Sequence, residues 1–243
     1  MQAFERAGRH SDKVSGHGYQ RIYPRLLWSL RKDKLKVLEI GVQEGNSISL
    51  WSEYFAPSEV TQVCVDITDK SLPENIKFVK LDQSNEVSLK EFVVAHFDFD
   101  LIVDDGSHIP QHQLLTLKVL WAALLPGGIY ILEDIETSYW GNSRLYGYRF
   151  NSNKYLQNTV NVVKDFVEFI NEGMSRRIRR LPLGLESVAS EVESVTFGYN
   201  SIILVKKNPE EFAKYYGREY NGADRYNRWS LLQIIYRTVT GRK

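Results

Sequence analysis

Two acidic pairs, Asp104-Asp105 and Glu133-Asp134, each follow a short apolar run of the kind that ends a β-strand. Asp105 and Glu133 lie 28 residues apart, the length of one helix and one strand. That spacing predicts that both pairs arrive at the same end of adjacent parallel strands. Carboxylates so close repel and raise one another's pKa, a penalty that a bound divalent cation removes. Oxygen ligands without a zinc-type Cys or His cluster favour magnesium, with manganese next. The competing explanation is a set of helix caps and salt bridges to Arg or Lys; one acidic pair would favour it, two converging pairs disfavour it. His108 stands three residues beyond Asp105 in the same turn. An imidazole titrates near neutral pH, and a hydroxyl on a divalent ion is far more acidic than a free one, so His108 is the candidate general base. Lone histidines are usually structural, and His112, four residues on, reads as a helix-facing one.

A second constellation points to a nucleoside. Glu39-Ile40-Gly41-Val42-Gln43-Glu44-Gly45 closes one strand and opens a helix, and its glycines let the backbone approach a ligand. A dinucleotide fingerprint needs a further glycine to admit pyrophosphate. Gln43 stands at that place, which disfavours a nicotinamide dehydrogenase. The E-x-G-x-x-x-G spacing fits a ligand without phosphates, commonly S-adenosylmethionine, although the same glycines also serve tight helix-to-strand packing. Glu39, Gly41 and Gly45 are therefore candidate cofactor residues. Asp66 ends the next strand 21 residues beyond Gly45, close to the ~20 at which a carboxylate reaches ribose hydroxyls. Asp82 and Gln83 follow the third strand, where an acid and an amide could hydrogen-bond an adenine edge or, equally, cap the following helix.

The elements that must position these groups alternate strand and helix. Segments 36–40, 62–66, 76–80, 101–104 and 129–132 read as strands able to be buried on both faces of a parallel sheet. Segments 46–55, 88–97 and 111–125 read as helices, the last stopped by Pro126-Gly127-Gly128. A helical stretch over 154–173 precedes a basic loop at 176–180, and 192–197 with 201–206 predict a hairpin joined by Gly198-Tyr199-Asn200. The expected class is α/β, Rossmann-like, a mostly parallel sheet closed by a C-terminal antiparallel hairpin. One domain is expected over 1–243: an N-terminal helical or lid segment at 1–34, a core at 35–207 and a helical extension at 208–243.

Composition narrows the partners. The 31 basic and 30 acidic side chains nearly cancel, so no overall field draws the chain toward nucleic acid or a membrane surface, and a small-molecule partner is expected. Apolar residues at 43% support a packed core rather than disorder. Cys64, the single cysteine, lies in an apolar run and reads as a buried strand residue. The start of the chain lacks the apolar stretch of a signal peptide, and no run approaches the ~20 residues of a membrane span, so a cytoplasmic location is expected.

His10-Ser11-Asp12-Lys13 with His17-Gly18-Tyr19, VLEIGVQEGNS, VDDGSHIPQHQ and PGGIYILEDIETSYW occur here in one order. In that combination the first 150 or so residues resemble the S-adenosylmethionine- and magnesium-dependent sugar O-methyltransferases of macrolide and other glycoside biosynthesis. The resemblance implies a class I methyltransferase fold, metal ligands at Asp105, Glu133 and Asp134, and a general base at His108. It also implies cofactor contacts around Gly41, Asp66, Asp82 and Gln83, with Asp104 supporting the turn or the cofactor. The segment 17–23 looks like the part that closes over the cofactor in relatives, which adds Tyr19, though an N-terminal helix lead-in would look the same. Tyr139 and Trp140 follow the second acidic pair where a sugar face could stack, or where packing alone could hold them. A homo-oligomer is the expectation from relatives. The C-terminal third departs from the pattern; Trp229 to Tyr236 among basic residues reads as an amphipathic helix packing on the domain or another subunit. The function implied is magnesium-dependent methyl transfer from S-adenosylmethionine to a sugar hydroxyl of a glycoside, nucleotide sugar or glycan, a step of natural product biosynthesis. A catechol or phenolic acceptor, and a non-catalytic methyltransferase-fold binding module, are the alternatives.

Overall fold

The computed structural model describes residues 1–151, 158–171 and 180–211. Runs of leucine, isoleucine and valine form β1 (Lys34–Ile40), β2 (Glu59–Asp66), β3 (Lys77–Lys80), β4 (Phe99–Asp104) and β5 (Leu124–Glu133). These are followed by a polar ribbon of β6 (Asn142–Leu145) and β7 (Tyr148–Asn151), and then by β8 (Val192–Gly198) and β9 (Ser201–Lys206). Seven strands make one sheet in the order β3-β2-β1-β4-β5-β9-β8; β1 to β5 are parallel, and β9 enters antiparallel to both β5 and β8. This is the Rossmann-like arrangement with a closing hairpin that the residue pattern predicts.

The helices are α1 (Gln2–Ala7), α2 (Asp12–Ser15), α3 (Tyr23–Leu26), α4 (Asn46–Phe55), α5 (Glu86–Ala95), α6 (Pro110–Leu120), α7 (Thr159–Lys164), α8 (Phe166–Ile170) and α9 (Glu186–Ser190). Alternate residues of each strand face opposite layers. Leu38 and Ile40 of β1, with Tyr130 and Leu132 of β5, pack under α5 to α9. Leu35, Val37, Ile129 and Ile131 pack under α1, α3 and α4. Every residue of β4, central in the sheet, is buried. That double burial is why its sequence is almost continuously apolar.

The helix expected at 111–125 ends at Leu120, followed by a 3₁₀ turn, Trp121–Ala123. Pro126-Gly127-Gly128 does not stop it; these residues lie inside β5. The register moves from Phe99 opposite Leu124 to Leu101 opposite Ile129, so the three are absorbed in a bulge where no ladder hydrogen bond is asked of the proline. The ribbon β6–β7 was not expected. The basic loop at 176–180 lies outside the described residues except for Arg180, and the amphipathic segment from Trp229 to Tyr236 lies outside them entirely. Among the described residues no helix is long and apolar enough to cross a membrane.

Cys64 sits on β2, fully buried and unpaired, and burial pushes its thiol pKa up, with Glu39 adding to the shift. Since the thiolate is the reactive form, alkylation of the native protein by iodoacetamide at pH 8 should run at least ~100-fold slower than in denaturant. Mass spectrometry of timed samples measures this, and comparable rates in the two states would contradict the burial.

Candidate active site

Strand order reverses between β1 and β4, and open α/β sheets bind ligands at that crevice. A cavity of about 760 Å³ lies there, over the carboxyl ends of the parallel strands. Gly41 forms its floor. With φ +88, its backbone passes so close to the next crossing that a Cβ would lie 2.0 Å from the carbonyl oxygen of Asp105, so only glycine fits.

Asp66, at the end of β2, lines the same cavity. Its carboxylate accepts from the amides of Val42 (3.1 Å) and Thr68 (2.9 Å) and from the Thr68 hydroxyl (2.8 Å). Partial burial pushes its pKa up, but those donors and Lys70 outweigh it and hold the net value below the usual range. Asp66 therefore presents an ionised acceptor to the cavity, as a ribose diol requires. Asp82 and Gln83 also line the cavity. Gln83 is committed on both sides of its amide: Nε2 donates to Asp104 (3.2 Å), and Oε1 accepts from the Ser107 amide (2.5 Å). It thus joins the turn after β3 to the turn after β4. Asp104 is fully buried beneath that turn, with Thr116 also donating to it, and burial lifts its carboxyl pKa to about 6.

The acid cluster is organised by a residue to which the sequence analysis assigned no role. Lys13, on α2 and 1% exposed, places Nζ 2.6 Å from Asp105 Oδ2, 2.5 Å from Glu133 Oε2 and 3.4 Å from Glu39 Oε1. Burial opposes its charge, but the three carboxylates overcome that cost and hold its pKa well above the ordinary lysine range. Tyr23 donates to the other oxygen of Glu133 (2.8 Å), and the Gln113 side chain donates to the Glu133 carbonyl (2.8 Å). Burial, and then Asp105, push the Glu133 carboxyl up while Lys13 works against them. Glu39 accepts from Ser47 (2.7 Å) and Trp51 (3.3 Å), so it is bound to α4 behind the cavity.

Asp134 is fixed separately. Its Oδ1 accepts from Asn200 (2.8 Å) and Tyr19 (3.3 Å) and lies 3.3 Å from His17, while Oδ2 lies 3.7 Å from Nε2 of His108. The rings of His17, Tyr19 and Tyr23 stack in sequence, at 5.2 and 4.7 Å, and carry the N-terminal segment across the acids. His108 and Asp134 both hold left-handed φ values, +57 and +51, a strained state for non-glycine residues. Thr137 pins the His108 carbonyl (2.5 Å), and Nδ1 of His108 is buried without a hydrogen-bond partner among the described residues. One ligand atom from each of Asp105, His108 and Asp134 lies within 4.8 Å of the others; the two carboxylates fit a hard divalent cation, with the imidazole beside them.

Seven of the expected residues therefore line the cavity: Gly41, Asp66, Asp82, Gln83, Asp105, His108 and Asp134. Glu39, Asp104, Tyr19 and Glu133 are buried and act on it from behind, and Gly45 is the N-cap of α4. Tyr139 and Trp140 are not among the lining residues; Tyr139 is largely exposed and Trp140 stacks on Phe150 at 6.2 Å. Tyr146 and Tyr148 of the ribbon line the cavity instead. Lys13 belongs to the quoted His10-to-Lys13 motif, but 92 residues separate it from Asp105 and no local spacing discloses the contact.

No protein-family model matches the chain. Over 142 residues it is 37% identical to the 8-demethyl-8-α-L-rhamnosyl tetracenomycin-C 2'-O-methyltransferase of Streptomyces olivaceus, covering 54% of this chain and 37% of that protein. The demethylmacrocin O-methyltransferase of Streptomyces fradiae is 32% identical over 133 residues, 51% of this chain and 33% of that one. The mycinamicin VI 2''-O-methyltransferase of Micromonospora griseorubida is 31% identical over 133 residues, with the same coverage. The match thus spans about a third of the length of each curated relative. Among solved structures, the MycE methyltransferase of the mycinamycin biosynthetic pathway in complex with Mg and SAH superposes with a TM-score of 0.71 at 21% identity, covering 92% of this chain and 59% of that one. A further complex of MycE, with Mg, SAH and mycinamycin VI, gives 0.69 at 22% identity over 86% and 54% of the two chains. The likeness establishes the class I methyltransferase fold.

Removing one member of a buried charge cluster strands the others. Lys13→Met should lower the unfolding free energy of the metal-free protein by about 3 kcal/mol in urea titrations, and adding Glu133→Gln should recover part of that loss. Equal stability of wild type and Lys13→Met would show that the ammonium does not compensate the acids.

Proposed function

We propose that this chain moves a methyl group from S-adenosylmethionine to a sugar hydroxyl in a reaction that depends on a divalent metal, magnesium by preference. One observation carries the reading: a single cavity joins a ribose-type carboxylate, Asp66, to the triad of Asp105, His108 and Asp134. Its first turn has Gln43 where a pyrophosphate would need glycine. The rhamnosyl acceptor in the name of the tetracenomycin-C 2'-O-methyltransferase supports the acceptor class.

Asp105 and Asp134 would hold the metal; Glu133, the third ligand that the resemblance implies, has its two oxygens on Lys13 and Tyr23 and would join them by giving up one of those contacts. A divalent ion there supplies Lewis-acid acidification and alignment of the acceptor hydroxyl. Charge supports the fit. The carboxylates of Glu39, Asp105, Glu133 and Asp134 outnumber the one ammonium of Lys13 among them, an excess of negative charge that a divalent cation would offset.

The remaining work falls to the chain itself. Asp66 anchors the ribose, and Gly41 lets the cofactor lie against the β1 turn. Burial of Nδ1 leaves Nε2 of His108 as the nitrogen that can take the hydroxyl proton, and Asp134, 3.7 Å away, stabilises the imidazolium that forms. S-adenosylmethionine held by Gly41 and Asp66 would supply the methyl group, its sulfur keeping the pair of the broken S–CH3 bond and leaving as the neutral thioether of SAH. Because the strands fix both halves of the site, most of the acceleration comes from positioning and charge stabilisation.

Transfer of radiolabelled methyl groups onto a panel of rhamnosides, nucleotide sugars and catechols tests the reading. EDTA should abolish transfer to the sugars and magnesium restore it; full turnover by metal-stripped protein would remove the mechanism, and preference for catechols would replace the acceptor. His108→Ala should reduce turnover by ~10² or more while leaving SAH affinity unchanged in calorimetry. An unaltered rate would exclude His108 as the base, and a protein that binds cofactor yet methylates nothing in the panel would be a binding module.

A further inference from the structure

The ribbon β6–β7 turns through Tyr146-Gly147, two residues between the paired Leu145 and Tyr148. Both central residues have left-handed φ, +48 and +84, the pattern of the tightest hairpin turn. Asn-Gly is the sequence that turn prefers, since a tyrosine at left-handed φ is strained. In the β8–β9 turn of the same chain, Asn200 takes the left-handed place. Packing does not explain the tyrosine. Tyr146 is 68% exposed, and nothing lies within 4 Å of where a Cβ on Gly147 would stand. The tip is open, yet Tyr146 lines the cavity.

The rest of the ribbon is fixed at its base and along one edge. At the base, Phe150 is buried against Trp140 and the Asn151 side chain donates to Asn142 (2.8 Å). Along the edge, the Tyr148 ring meets His112 edge-on at 4.7 Å, and His112 Nδ1 pairs with the Ser107 hydroxyl at 2.9 Å. Ser107 in turn holds Gln83, next to Asp82. A relay of contacts therefore ties the ribbon to the corner formed by Asp82, Gln83 and Ser107, where the reading above seats the adenine.

We propose that this ribbon is a clasp over the adenosyl end of the cofactor, in which the Tyr146 ring stacks on the purine while Tyr148 and His112 set the height of the tip. The inference rests on the cofactor assignment of the preceding section and adds to it a residue that binds the nucleoside from the solvent side. Strain at Tyr146 is then the cost of presenting an aromatic face where turn chemistry alone would place asparagine.

The test separates turn from ligand. Tyr146→Asn installs the preferred turn sequence, so the melting temperature should be unchanged or raised, while SAH affinity measured by calorimetry falls about tenfold, the scale of one lost base–aromatic stack. Tyr146→Phe keeps the ring and should bind SAH within about twofold of wild type. Wild-type affinity in Tyr146→Asn would overturn the clasp, as would Tyr146→Phe binding as weakly as Tyr146→Asn. A lower melting temperature in Tyr146→Asn would assign the tyrosine to packing and equally overturn it. An unchanged SAH affinity with a raised KM for a rhamnoside would move the residue to the acceptor. Failure of the wild type to bind SAH would instead overturn the cofactor assignment, and the clasp with it.

Discussion

One ammonium group among buried carboxylates is the constraint around which the rest of the site is arranged. Lys13 reaches Glu39 of β1, Asp105 just beyond β4 and Glu133 of β5, at distances from 2.5 to 3.4 Å. Ionised carboxylates out of water are tolerated only when paired and hydrogen-bonded. Lys13 supplies the pairing, and Tyr23, Ser47 and Trp51 supply the hydrogen bonds. The N-terminal segment is consequently held by polar attachments as well as by its apolar residues. Burial lifts the phenols of Tyr19 and Tyr23, so both remain neutral donors toward the acids they touch.

Backbone strain collects at the same place. Of the seven non-glycine residues with left-handed φ among the described residues, Gln43, His108, Asp134 and Tyr146 line the cavity, and Asn200 holds Asp134. Asp98 and Leu183 are the two that lie away from it, and elsewhere local preference is visible, as where Asn85 caps α5 through two amides. Departures from local preference concentrated at a ligand cavity are what a site over-determined by its surroundings produces.

Much of the architecture was legible in the sequence because a parallel sheet buried on both faces writes itself as short apolar runs. β4 is the clearest case, and the acids that end it and β5 could be placed at one sheet edge from spacing alone. The Pro126-Gly127-Gly128 bulge was not legible: the same residues terminate a helix or widen a strand, and only pairing with β4 decides between them. The ribbon β6–β7 escaped notice because its strands are short and polar, without the apolar face that marks a hairpin. At the site, acids close in sequence to a strand end could be found, whereas Lys13 and Asn200, which organise them, stand 92 and 66 residues from the acids they hold. Long-range polar partners leave no periodicity.

The ties of the N-terminal segment also bear on the order in which the molecule can assemble. Residues 11–23 are made before the strands of the sheet, yet Lys13 must await Glu133, 120 residues later, and Tyr19 must await the carbonyl of Asn200, 181 residues later. Contacts of such separation form late, after the local strand and helix units have condensed. A nascent chain that has completed β1 to β5 already holds every carboxylate of the cluster, but Asp134 lacks Asn200 until the last hairpin is in place. Competence therefore arrives in one late event, when β9 enters the sheet and the segment ahead of β1 comes to rest on the acids.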